Sequence, residues 1–87
     1  MADVVMYVRE SCPYCLRARL LLGSKGLRWD EIDLDQEPRR RLEMIEKSGR
    51  HTVPQICIDG THVGGSDDLA AAESSGLLDR LLAGSGA

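Results

Sequence analysis

With 87 residues the chain has room for one small core and no more, which excludes a large multi-domain enzyme. Leu, Ile and Val supply 21 of these residues without a single Phe, which stays above the roughly 20% below which chains tend to remain disordered. Eleven basic residues against 14 acidic ones leave a formal net charge of -3. The surface as a whole therefore attracts neither nucleic acid nor an anionic membrane, and any anion site must be local.

The chain begins Met1-Ala2-Asp3-Val4, with no basic stretch ahead of an apolar run, and no window is long enough to span a bilayer. A cytoplasmic protein is the expectation. Three cysteines, two of them only three residues apart, match intracellular redox or metal chemistry better than the disulfide scaffold of a small secreted domain.

In chain order, Val4-Val5-Met6-Tyr7-Val8 is a short apolar run rich in β-branched and aromatic residues, and reads as a strand buried on both faces. From Pro13 to about Lys25 apolar residues recur at helical spacing (Leu16 and Leu20; Ala18, Leu21 and Leu22), with Pro13 in the first turn and Gly23 and Gly26 marking the stop. Leu27 to Leu34 reads as a strand near an edge, its alternation slipping phase once. Asp35 is the expected cap of a second helix, with Pro38 in its first turn, Leu42 and Ile45 sharing a face, and Gly49 after it. The basic run Arg39-Arg40-Arg41 lies on that helix.

Gln55 to Asp59 is a compact strand, Asp59-Gly60 a hairpin signal, and Thr61-His62-Val63 the returning strand before Gly64-Gly65. Ser66-Asp67-Asp68 opens a helix through Ala72, with Gly76 near its end. Leu77, Leu78, Leu81 and Leu82 add a terminal helical piece, and residues 84–87 read as a frayed tail, leaving a domain over 1–83. The order β-α-β-α-β-β-α makes this an α/β chain with a small sheet flanked by helices, parallel where the crossovers are helical.

The chemistry concentrates in Cys12-Pro13-Tyr14-Cys15, where the first strand hands over to the first helix. Free N–H groups and the positive end of the helix dipole point at Cys12 and favour its thiolate, with Arg9 pushing the same way. Helical spacing sets the Cys15 sulfur beside that of Cys12 but deeper, so Cys12 is the attacking thiol and Cys15 the resolving one. A zinc site completed by His51 and His62 is the competing reading. Thirty-five residues of separation and a stiff Pro13 between the thiols argue against it, so no metal is expected.

Tyr7 closing a strand, Cys12-Pro13-Tyr14-Cys15, Thr52-Val53-Pro54 and Gly64-Gly65-Ser66-Asp67-Asp68-Leu69 together resemble the dithiol glutaredoxins of the small bacterial type, over nearly the whole chain. The resemblance implies a thioredoxin-like fold with a mixed four-stranded sheet, glutathione-dependent disulfide reductase activity, and glutathione as co-substrate with no permanently bound cofactor. It further implies a cis bond before Pro54 and a glutathione cleft lined by Arg9, Tyr14, Arg41, Thr52, Val53, Pro54, Gly65, Ser66 and Asp67. The backbone of Val53 would pair with glutathione as an added strand, with Arg9 and Arg41 near its glycine carboxylate. Arg39 and Arg40 are left as solvated surface. Two positions depart from the commoner pattern: Cys57 stands where an aromatic is frequent and reads as a buried, inert thiol, and Ser66 stands where some relatives carry a cysteine.

The implied partners are glutathionylated proteins and protein disulfides, with glutathione reductase and NADPH regenerating the donor, and the implied state is a monomer. Two rival functions are a carrier of an iron–sulfur cluster ligated by Cys12 and glutathione, and an electron donor served by thioredoxin reductase.

Overall fold

The computed structural model describes residues 2–84. Its elements are β1 (Val4–Val8), α1 (Pro13–Ser24), β2 (Asp30–Asp33), a 3-10 turn (Pro38–Arg40), α2 (Arg41–Ser48), β3 (Gln55–Ile58), β4 (Thr61–Gly64), α3 (Ser66–Ser75) and α4 (Leu77–Gly84). Gly84, expected in the tail, closes α4; the rest of that tail, 85–87, lies outside the described residues.

One mixed sheet carries the strands in the order β2-β1-β3-β4. The apolar run of β1 takes a central place, and charged β2 takes an edge, as its composition requires. Through α1 the chain crosses over to make β2 parallel to β1, with Tyr7 beside Ile32. The connection through α2 behaves differently from expectation: β3 runs antiparallel to β1. A helical crossover makes neighbours parallel only when both strands enter the sheet from the same end, and β3 enters from the other. Asp59 and Gly60 both take left-handed φ values, 51° and 82°, which suits the tight hairpin from β3 into β4.

Helices cover both faces. On one side Met6, Val8, Ile56 and Ile58 pack against Cys15, Ala18 and Leu22 of α1, Leu69 of α3 and Leu78 of α4. On the other, Tyr7, Ile32 and Leu34 pack against Met44 of α2. Here two expectations are corrected. Leu16 and Leu20 stand out in solvent, the latter 65% exposed, because α1 is turned so that Cys15 and Ala18 face the sheet. Leu42 is 70% exposed while Met44 is buried, because the Pro38–Arg40 turn precedes α2 and Arg40, not Asp35, stands at its N-cap. The Tyr7 hydroxyl donates to the Glu43 carboxylate and ties α2 to the central strand. Burial, reinforced by Glu43, pushes the Tyr7 phenol well above its ordinary value.

Candidate active site

Strand register brings three loops to one end of the sheet. Tyr7, near the end of β1, lies opposite Gln55 at the start of β3, and Ile56 lies opposite Gly64 at the end of β4. The turn after β1, the loop before β3 and the loop after β4 therefore meet, although a long stretch of chain separates the first from the other two.

In the first loop Ser11 adopts a left-handed conformation (φ 57°) that turns the chain sharply. Cys12 then becomes the extended N-cap of α1, with Pro13 in the first turn, where its missing N–H costs nothing. The Cys12 sulfur accepts the Cys15 backbone N–H at 3.3 Å, in the position that a Ser or Asp cap would use. The same sulfur lies 4.0 Å from the Val53 carbonyl. Cys12 is half-buried, whereas Cys15 is 0% exposed, and both are free thiols. Burial, and the hydrogen bond with Cys12, push the Cys15 thiol well above its ordinary value, so it keeps its proton at neutral pH. The pair is thus asymmetric, one accessible sulfur held by a helix terminus and one deep protonated thiol.

The Val53–Pro54 peptide is cis, and Pro54 is buried. Beside it a cavity of about 320 Å³ is lined by Tyr14, the segments 52–55 and 65–68, and Arg50. Tyr14 is half-exposed, with the Arg17 guanidinium 5.2 Å over its ring. Thr52, Val53, Pro54, Gly65, Ser66 and Asp67 all border this space. Arg9 and Arg41 do not: they line a second cavity of about 270 Å³ with Leu34, Asp35 and Pro38. Arg9 Nε donates to Asp35 at 3.1 Å, and Arg41 donates to the His51 carbonyl at 3.3 Å. Asp35, expected as a helix cap, also accepts the Glu10 N–H at 2.8 Å.

Gln55, Arg50 and Asp68 line the first cavity as well, and sequence reasoning missed all three. Gln55 is 1% exposed. Its amide nitrogen donates to the Thr52 carbonyl at 3.0 Å, and its oxygen meets His62 Nε2 at 2.7 Å. A lone amide opening an apolar strand was its only signal. At the α3 terminus Gly65 is the N-cap, and Asp68, not Asp67, accepts the Gly65 N–H at 2.9 Å. Asp67 is exposed and no side-chain hydrogen bond engages it among the described residues. Cys57 is buried between its sheet neighbours, and burial raises its thiol above the ordinary value.

Residues 4–63 match the glutaredoxin family. The chain belongs to that family. Glutaredoxin 3 of Escherichia coli K12 is 54% identical over 82 residues, covering 94% of this chain and 99% of the relative. The solution structure of Brucella melitensis glutaredoxin superposes with a TM-score of 0.81 at 55% identity, covering 94% of this chain and 89% of that one. A buckwheat glutaredoxin–glutathione complex gives a TM-score of 0.88 at 31% identity, covering 99% and 81%. The thioredoxin-like fold and the activity of the family, glutathione-dependent thiol–disulfide oxidoreduction, follow for this glutaredoxin. None of these relatives favours the cluster carrier or the donor served by thioredoxin reductase. No helix among the described residues is long and apolar enough to cross a membrane.

Proposed function

We propose that this glutaredoxin reduces glutathione mixed disulfides and protein disulfides through Cys12 as nucleophile and Cys15 as resolving thiol. The observation that carries the reading is the asymmetry of the pair: the half-buried Cys12 sulfur accepts a helix N-terminal N–H at 3.3 Å, while Cys15 is sealed from solvent. The backbone donor and the helix N-terminus both face the sulfur that attacks.

In the monothiol route the Cys12 thiolate attacks the glutathione sulfur of a glutathionylated protein. The protein sulfur leaves as a thiolate and takes a proton from water, and Cys12 carries the glutathione. The thiolate of a second glutathione attacks that glutathione sulfur, releasing glutathione disulfide and restoring Cys12. In the dithiol route Cys12 opens a protein disulfide and stays bound to one of its sulfurs. Cys15, once deprotonated, attacks the Cys12 sulfur, expels the protein thiolate and closes the Cys12–Cys15 disulfide, which two glutathiones then reduce. Burial first, and then the hydrogen bond with Cys12, hold the proton on Cys15, so Cys15 must give it up before it attacks the mixed disulfide.

The cavity bordered by Tyr14, Thr52, Val53, Pro54, Gly65, Ser66 and Asp67 receives glutathione, and exposed Asp67 meets its α-ammonium. Arg9 and Arg41, which line the second cavity, take the glycine carboxylate. The chain works as one domain whose last element, α4, runs to Gly84, a monomer in the cytoplasm, with glutathione reductase and NADPH regenerating the donor. It binds neither nucleic acid nor membrane, in keeping with its net charge of -3. The test is reduction of a small glutathione mixed disulfide, coupled to NADPH oxidation through glutathione reductase. Turnover that saturates in glutathione supports the reading; turnover that runs instead on thioredoxin reductase without glutathione overturns it.

A further inference from the structure

Asp68 occupies an unusual place in the cavity wall. As the third residue of α3 its Oδ2 accepts the Gly65 N–H at 2.9 Å and, on the same oxygen, Arg50 Nη1 at 2.6 Å. Gly64 closes over it: a Cβ there would stand 2.4 Å from Oδ2, so the carboxylate has one seat. That seat puts negative charge beside the free N–H groups of Ser66 and Asp67, the terminus that would otherwise attract an anion. Asp67 adds a second carboxylate.

Glutathione offers that terminus a γ-glutamyl end whose single α-carbon bears both a carboxylate and an ammonium. One group needs a positive neighbour and the other a negative one, a few ångströms apart. Asp67 is free to supply the negative one. With Asp68 uncompensated, its carboxylate would repel the ligand's own. Among the described residues Arg50 is the only cation lining the cavity, and it comes from the loop between α2 and β3, across from α3. Its guanidinium contact is the first cause of the lowered proton affinity of Asp68, so the pair remains charged and matched.

We propose that Arg50 is a positioning residue that sets glutathione affinity: by neutralising Asp68 it keeps the α3 N-terminus receptive to the γ-glutamyl carboxylate and leaves Asp67 alone to meet the ammonium. The inference rests on the cavity being the glutathione site.

The test is steady-state kinetics with glutathione and a glutathionylated peptide for Arg50→Gln, Arg50→Lys, Asp68→Asn, the double variant Arg50→Gln/Asp68→Asn and Asp67→Asn, each with its melting temperature. Arg50→Gln is expected to raise KM about fivefold, the upper scale of one half-exposed ion pair, with kcat moving less. Arg50→Lys should stay near the parent. The double variant should return most of the KM, because removing both charges restores the balance, and Asn can still accept the Gly65 N–H. Should Arg50→Gln not fold, Asp68→Asn alone decides: it is expected to hold or lower KM, and a raised KM overturns the proposal. A double variant as weak as Arg50→Gln shows a mechanical strap instead of charge compensation and also overturns it. If Asp67→Asn raises KM while Arg50→Gln does not, the cavity reading stands and the role of Arg50 falls. If neither moves KM, both fall.

Discussion

Cys12 and Cys15 differ by one helical turn in sequence and by almost everything else in environment. Because Cys12 alone is reachable, Cys12→Ser is expected to abolish turnover on every substrate. Cys15→Ser should separate two activities: reduction of a protein disulfide falls, since that mixed disulfide needs an intramolecular thiol to escape, while reduction of a glutathione mixed disulfide persists. Parallel assays on an insulin-type disulfide and a glutathionylated peptide check this, and equal losses on both would leave Cys15 without a resolving role. Asp67 can be tested cleanly, because Asp68 holds the N-terminal hydrogen bond that Asp67 could have made. Asp67→Asn should therefore leave the melting temperature unaltered and raise KM for glutathionylated substrate with kcat little changed, an effect that shrinks as salt rises.

At the scale of elements, the loop from β4 into α3 depends on Gly64. Its φ of 129° lies where L side chains strain, and the Asp68 carboxylate fills the space that a Cβ would need. Gly64→Ala is expected to cost about 1–3 kcal/mol in urea unfolding and to weaken glutathione binding by displacing Asp68. Gly49, the left-handed C-cap of α2 at φ 70°, has open space around it. Gly49→Ala should accordingly cost only the backbone penalty, about 1 kcal/mol, with kinetics unaltered. Finding the two substitutions equal in both readouts would remove the steric role given to Asp68.

Across the whole molecule, several carboxylates are held below their ordinary proton affinity. For Glu43 the first cause is the Tyr7 hydroxyl that donates to it, helped by Arg40; for Glu31 it is Arg19, and for Asp68 it is Arg50. A carboxyl with a depressed folded value contributes stability above its unfolded value and loses it as pH falls through the folded one. Urea midpoints are thus expected to ease down once pH falls below about 6.5, where the unfolded chain protonates His62 that burial keeps neutral in the fold, and to drop further below about pH 5 as acid reaches these carboxylates. Glu43→Gln should flatten part of that acid limb while lowering the midpoint at pH 7. An acid limb identical to that of the parent would show that Glu43 is not among the groups responsible.

Much of this protein is legible in its sequence because the chemistry concerned is local. A helix beginning at Pro13 directly after a buried strand fixes what Cys12 faces, since a helix N-terminus presents its N–H groups whatever the rest of the chain does. Element order and the hairpin at Asp59-Gly60 follow from residue types whose backbone preferences act over a few positions. Periodicity, by contrast, says that a helix has two faces and not which one is covered: burial of Cys15 turned Leu16 and Leu20 outward, and the 3-10 turn before α2 brought Met44 inward in place of Leu42. The direction of β3, the division of Arg9 and Arg41 from the cavity beside Pro54, and the meeting of Arg50 with Asp68 across 18 residues were decided by the tertiary fold alone. Each depends on which segments the sheet brings together in space, and contact across a long stretch of chain leaves no mark on the residues in between.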